Sequence, residues 1–148
     1  MKAAIAFLAK SPHPETYNFA EELALKSDFD VYIISDQHWE RNQFCTNTQN
    51  CQVIHITDEV CISSGYKNSM IETNATTLGK NPIAWDKMVY YFAEVNTVYD
   101  FIWVFEDDVF IPSVSTLKKL HLNYSTFDLV APNNFLKEDN LMDWHWKH

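Results

Sequence analysis

Ala3-Ala4-Ile5-Ala6-Phe7-Leu8-Ala9, followed after a turn and a helical stretch by Val31-Tyr32-Ile33-Ile34-Ser35, decides the fold. Neither run alternates apolar with polar residues, as a strand with one wet face would. Both are apolar nearly throughout, which is the pattern of strands covered on both faces in a parallel sheet. Between them Lys10-Ser11-Pro12-His13-Pro14 reads as a turn. A helix is predicted over about Glu15 to Lys26, where Tyr17, Ala20, Glu21 and Ala24 share one spacing and Phe19, Leu23 and Lys26 another. Strand, helix and strand make a βαβ unit. The expected class is therefore α/β: a Rossmann-like, mainly parallel sheet with helices on both faces. Asp36 directly follows the second strand, at the carboxyl edge where open α/β sheets bind ligands.

From His38 to Gly79 the chain is polar, rich in Asn, Gln, Thr and Ser, and is expected to be loop apart from a short strand at Gln52-Val53-Ile54-His55-Ile56. The next helix is predicted over about Ile83 to Val95, opened by Pro82, with Trp85, Met88, Val89 and Phe92 as its apolar stripe and Asp86 and Lys87 off it. Phe101-Ile102-Trp103-Val104-Phe105 is the following strand. It runs into Glu106-Asp107-Asp108 and is expected to continue through Val109-Phe110-Ile111. Pro112 and Ser113 open a helix to Leu120, and Asp128-Leu129-Val130-Ala131-Pro132 supplies a last short strand. Internal repeats and linkers are absent from this pattern.

The chain has 148 residues. That length suits a single domain, which buries about 68–70% of its unfolded surface. With Gly65 and Gly79 as its only glycines, the sequence has no glycine-rich phosphate loop, so Walker A and dinucleotide fingerprints are excluded. A net charge of −9 argues against nucleic acid or an anionic membrane as partner, since both demand clustered Lys and Arg. An acidic protein that binds a polyanion needs a cation to do so; the plainer alternative is an acidic soluble surface. No run approaches the ~18 apolar residues of a membrane span. Met1 to Ala9 mimics a short signal sequence, but no small-residue cleavage site follows, and a first strand is the expectation. Cys45, Cys51 and Cys61 lack zinc-site spacing; either Cys45 pairs with Cys51 in an oxidising compartment or all three are reduced. The sequons Asn74-Ala75-Thr76 and Asn123-Tyr124-Ser125 matter only in a secreted chain.

Three consecutive carboxylates after five bulky apolar residues are costly unless solvent or a cation meets them, because a buried unpaired carboxylate is strongly disfavoured. On an extended backbone Glu106 and Asp108 would project to one side and Asp107 to the other, so that two acids converge on one divalent ion. Oxygen ligands suit Mg²⁺ or Mn²⁺, which also bridge the oxygens of a diphosphate. The alternative is a strand that ends in a solvated acidic turn.

The stretch from Tyr99 through Glu106-Asp107-Asp108 to Ile111 resembles the DXD-bearing strand of GT-A fold glycosyltransferases, in the EDD form seen in N-acetylglucosaminyltransferases. Ala84-Trp85-Asp86-Lys87-Met88-Val89-Tyr90-Tyr91-Phe92 stands where those enzymes carry a helix packed under the nucleotide site, and the βαβ opening fits as well. The resemblance implies transfer of a sugar from a nucleoside diphosphate sugar, a UDP-sugar first, to a hydroxyl of a glycan, protein or lipid acceptor, with Mn²⁺ or Mg²⁺ as cofactor. It makes Asp108 the direct metal ligand, with Glu106 beside it, and gives Asp107 an orienting role in catalysis. It makes Ala9, Lys10 and Ser11 backbone contacts to the nucleotide and Asp36 a contact to uridine or ribose; Lys87 is either a group in reach of phosphate or only a solvated charge on its helix. A general base, needed if configuration inverts, is sought among Asp139, Asp143 and His145, with Asp143 taken first, and Trp144 and Trp146 as sugar-stacking faces. Catalytic domains of that family are longer than this chain. The readings are therefore a fragment or truncated product, a donor-binding module that works with a partner, or a catalytically silent module of the same fold; a metal-dependent phosphohydrolase is the third class. Animal members of the family work in the secretory pathway, and microbial or viral ones in the cytoplasm.

Overall fold

In the computed structural model, which describes residues 1–36, 50–66, 81–109 and 111–130, four parallel strands form one sheet in the order β3-β2-β1-β4. In chain order the elements are β1 (Ala3–Ala9), α1 (Pro14–Lys26), β2 (Asp30–Ser35), β3 (Gln52–His55), α2 (Asp58–Ser63), α3 (Ala84–Tyr90), a π-helical turn (Tyr91–Val95), β4 (Phe101–Glu106) and α4 (Val114–Tyr124). The expected α/β class with a parallel sheet and helices on both faces is what the chain adopts. Cys45, the sequon at Asn74, and the tail candidates Asp139, Asp143, Trp144, His145 and Trp146 lie outside the described residues.

Successive strand residues point to opposite faces, so the apolar runs supply two cores at once. On one face Ile5, Phe7, Val31, Ile33 and Trp103 pack with Tyr17, Ala20 and Leu23 of α1 and Leu117 of α4. On the other Ala4, Ala6, Leu8, Tyr32 and Ile34 pack with Ala84 and Met88 of α3 and Phe92 of the π-helical turn. The parallel register places Phe7 between Ile33 and Phe105, and Leu8 beside Glu106. Helix α1 starts at Pro14, whose missing N–H would be unsatisfied in the first turn anyway. It stops at Ser27, whose N–H and hydroxyl both donate to the Leu23 carbonyl. At the amino end of the sheet Tyr99 donates to Asp30 (2.8 Å) and lies against the Tyr32 hydroxyl, with Lys2 over its ring. Burial, followed by these hydrogen bonds, pushes the Tyr99 hydroxyl well above its ordinary pKa. That cluster fastens three strand starts together, away from the carboxyl edge.

Glu21 ties α1 to the start of β3. Its carboxylate accepts from the Asn50 amide N–H (3.0 Å), the Asn50 side chain (2.8 Å) and the Cys51 N–H (3.0 Å). Burial pushes its pKa up, but the hydrogen bonds from Cys51 and Asn50 outweigh it and hold Glu21 down at about 2, against an ordinary 4.5. A carboxylate depressed in the folded state stabilises the fold above its unfolded pKa and loses that contribution as pH falls through the folded value. Glu21→Ala is expected to lower stability by about 1–3 kcal/mol at neutral pH. The gap from wild type should narrow between pH 4.5 and about 2, which urea unfolding across that range measures.

Four expectations from the sequence are corrected. Residues 58–63, expected as loop, form α2: Thr57 caps it by accepting from the Val60 N–H (3.4 Å), with Asp58 and Glu59 in the first turn. Strand β4 does not run on to Ile111. It stops at Glu106, and the Val109 N–H donates to the Glu106 carbonyl (3.1 Å), closing a turn over Asp107 and Asp108. Asp is among the residues that turns favour, and two stand here in sequence. Residues 128–130 form no strand, and Leu129 is largely exposed. The buried face of α3 is also only in part the expected stripe: Met88 and, in the following turn, Phe92 are buried as expected, but Trp85 and Val89 are exposed, whereas Asp86 and Lys87 are buried beside Ala84. Among the described residues no helix is long and apolar enough to cross a membrane.

Candidate functional site at the carboxyl edge of the sheet

Strand order reverses at β1, which has β2 on one side and β4 on the other. Open α/β sheets bind ligands outside the carboxyl ends of their strands at such a reversal. Three segments meet there. The Asp36 N–H donates to the Ala9 carbonyl (2.9 Å), fixing the end of β2 against β1. The Asp107 N–H donates to the Leu8 carbonyl (3.1 Å), fixing the acidic turn on the other side. Between them Ala9 is buried, and Lys10 and Ser11 emerge into solvent. The structure thus gathers Ala9, Lys10, Ser11, Asp36, Glu106, Asp107 and Asp108 on one edge.

Helix α3 reaches both flanks of that edge. The indole N–H of Trp85 donates to Glu106 Oε1 (2.9 Å). Two residues on, Lys87 Nζ lies 2.6 Å from Asp36 Oδ1 and 2.7 Å from Asp58 Oδ1. The Lys87 side chain is only 3% exposed, and those of both acids are 19% exposed. Burial alone pulls the lysine pKa down, but hydrogen bonds to Asp36 and Asp58 outweigh it and hold the ammonium above its ordinary value. Lys87 is therefore neither a solvated surface charge nor a cation turned outward; its charge is spent on the two aspartates. Asp86 beside it accepts from the Ile83 N–H (2.9 Å) and starts the helix.

Glu106, Asp107 and Asp108 are all exposed. Among the described residues no ion pair or side-chain hydrogen bond engages Asp107 or Asp108, and Trp85 orients Glu106. Because the turn begins at Asp107, the side-to-side alternation expected of an extended triplet does not govern where these acids point. Among the described residues no group of three or more His, Cys, Asp and Glu side chains is placed to hold a metal ion. Hard oxygen donors in ones and twos are the usual protein share of a Mg²⁺ site, where water and ligand phosphates complete the shell. The donor chemistry of Glu106 and Asp108 fits such an ion.

Two members of this constellation escaped the sequence reading. Asp58 stands in a polar stretch with no helical period, and its one signal is Thr57 followed by two acids, a helix start. Trp85 was assigned to a core stripe, and only the fold brings it to Glu106. Comparison with protein families, with curated proteins and with solved structures finds no match for this chain.

Proposed function

We propose that the chain is the donor-binding domain of a metal-dependent glycosyltransferase, taking a nucleoside diphosphate sugar, UDP-linked first, at the carboxyl edge of its sheet. The observation that supports this reading best is the exposed acidic turn Glu106-Asp107-Asp108, pinned to β1 at the reversal of strand order. Asp108, unengaged among the described residues, is the metal ligand, with Glu106 held beside it by Trp85. A divalent ion bound there supplies Lewis-acid neutralisation of the charge that builds on a diphosphate leaving group. Asp107, its backbone fixed to Leu8, carries an exposed carboxylate in the same turn. Lys10 and Ser11 flank it, and Asp36 stands across β1 as the acceptor for ribose or uridine. Lys87 is already engaged by Asp36 and Asp58, which leaves the exposed Lys10 as the cation flanking this edge among the described residues; a metal at the acidic turn would supply the further positive charge that a diphosphate calls for.

Incubation of the purified chain with UDP-sugars and Mn²⁺, with and without simple glycan acceptors, tests the assignment through release of UDP. The expected result is release that chelator stops and Asp108→Ala abolishes. Metal-dependent binding of UDP with no release under any condition would instead place the chain among catalytically silent modules of the same fold.

A further inference from the structure

We infer that Lys87 and Asp58 are positioning residues, holding Asp36 in the orientation that selects a ribose over a deoxyribose in the nucleotide. The inference rests on the donor-site reading above and adds to it the source of its sugar-ring specificity.

Lys87 is unusual for its place. An ammonium that is 3% exposed on a helix face shared with Ala84 and Met88 has lost nearly all its hydration. Ion pairs buried this way often contribute no more stability than an apolar replacement would, so the fold alone does not call for one here. The ammonium meets two carboxylates from different elements: Asp36 at the end of β2 and Asp58 in the first turn of α2. It therefore locks β2, α2 and α3 at one point of the carboxyl edge.

Asp36 is restrained twice, by its own N–H on the Ala9 carbonyl (2.9 Å) and by Oδ1 on Lys87 (2.6 Å). Its other oxygen has no partner among the described residues, and the side chain keeps 19% of its surface open. A carboxylate with one oxygen anchored and the other open is a directional acceptor, and it suits ligand hydroxyl groups. Preorganisation of this kind is what turns a hydrogen bond into discrimination, because an unsupported carboxylate swings to water at little loss. Across β1 the acidic turn addresses the diphosphate end of the same ligand, so the two functions are separable.

Lys87→Met combined with Asp58→Asn removes the ammonium and one acid together. The trio carries a net −1 before and after the change (+1 − 2 against −1 alone), so the long-range field is kept and no pair of facing acids is left unscreened. Affinities for UDP, 2′-deoxy-UDP and 3′-deoxy-UDP are measured with Mn²⁺ on wild type, the double variant and Asp108→Ala. Wild type should prefer UDP over at least one deoxy analogue by about 10-fold or more, as expected for a hydrogen bond to a charged group. In the double variant, folded by far-UV circular dichroism, that preference should fall below about 3-fold while UDP binding stays Mn²⁺-dependent. A folded double variant with the wild-type preference overturns the positioning role and leaves the donor site standing. Equal binding of UDP and both analogues by wild type overturns it without any variant. Absence of Mn²⁺-dependent UDP binding in wild type removes the donor-site reading itself.

Discussion

Lys87→Ala is expected to destabilise the protein by about 3–5 kcal/mol, the effect of leaving a buried charge without its partner. Without the ammonium, Asp36 and Asp58 face each other across the space it occupied, each largely withdrawn from water. The loss is a large part of the stability of an ordinary domain, about 5–15 kcal/mol. Urea unfolding at neutral pH reads it directly. Adding Asp58→Asn to Lys87→Ala should recover part of the loss, because it removes the repulsion while keeping the shape; no recovery would mean that the aliphatic stem of Lys87 matters more than its charge. The pH dependence carries the same sign. A lysine raised in the folded state stabilises below its ordinary value of 10.5 and loses that contribution as pH climbs through the folded value. Wild type should therefore lose stability in strong alkali more steeply than Lys87→Ala.

Phe7→Ala is expected to be as severe, about 3–5 kcal/mol, for a purely apolar reason. Phe7 sits in the middle strand, 2% exposed, with Phe19 of α1 edge-on at 5.9 Å and Phe105 of β4 at 6.0 Å. Truncation opens a cavity among two strands and a helix, none of which can collapse into it without breaking strand register. Thermal unfolding of the variant checks this; a loss under about 1 kcal/mol would mean that the sheet is not packed on both faces as described. The two substitutions also separate the layers, since Lys87 belongs to the α3 face and Phe7 to the α1 face.

The middle of the sheet was legible because strands buried on both faces leave no doubt about period: Ile5 to Leu8 and Val31 to Ile34 are apolar at every position. The edge was harder to read. Along α3 and the turn after it the expected stripe and the buried face share Met88 and Phe92, but hydropathy puts Trp85 and Val89 inside, where Ala84, Asp86 and Lys87 are buried instead. What buries Lys87 is a pair of aspartates distant in the chain, and pattern within the helix cannot report them. Helix α2 was overlooked because six residues carry too little periodicity to register, leaving only its Thr57 cap as a signal. The acidic triplet is legible in the sequence but its turn is not: no Gly or Pro stands between Phe101 and Ile111 to mark where the strand stops.

The same triplet carries the functional account. Calorimetric titration of UDP into wild type and Asp108→Ala, each with and without Mn²⁺, tests it most directly. The account predicts binding to wild type that requires the metal and disappears in the variant. No binding in any condition, from chain shown to be folded, would contradict it and reduce Glu106-Asp107-Asp108 to a solvated turn at the end of β4.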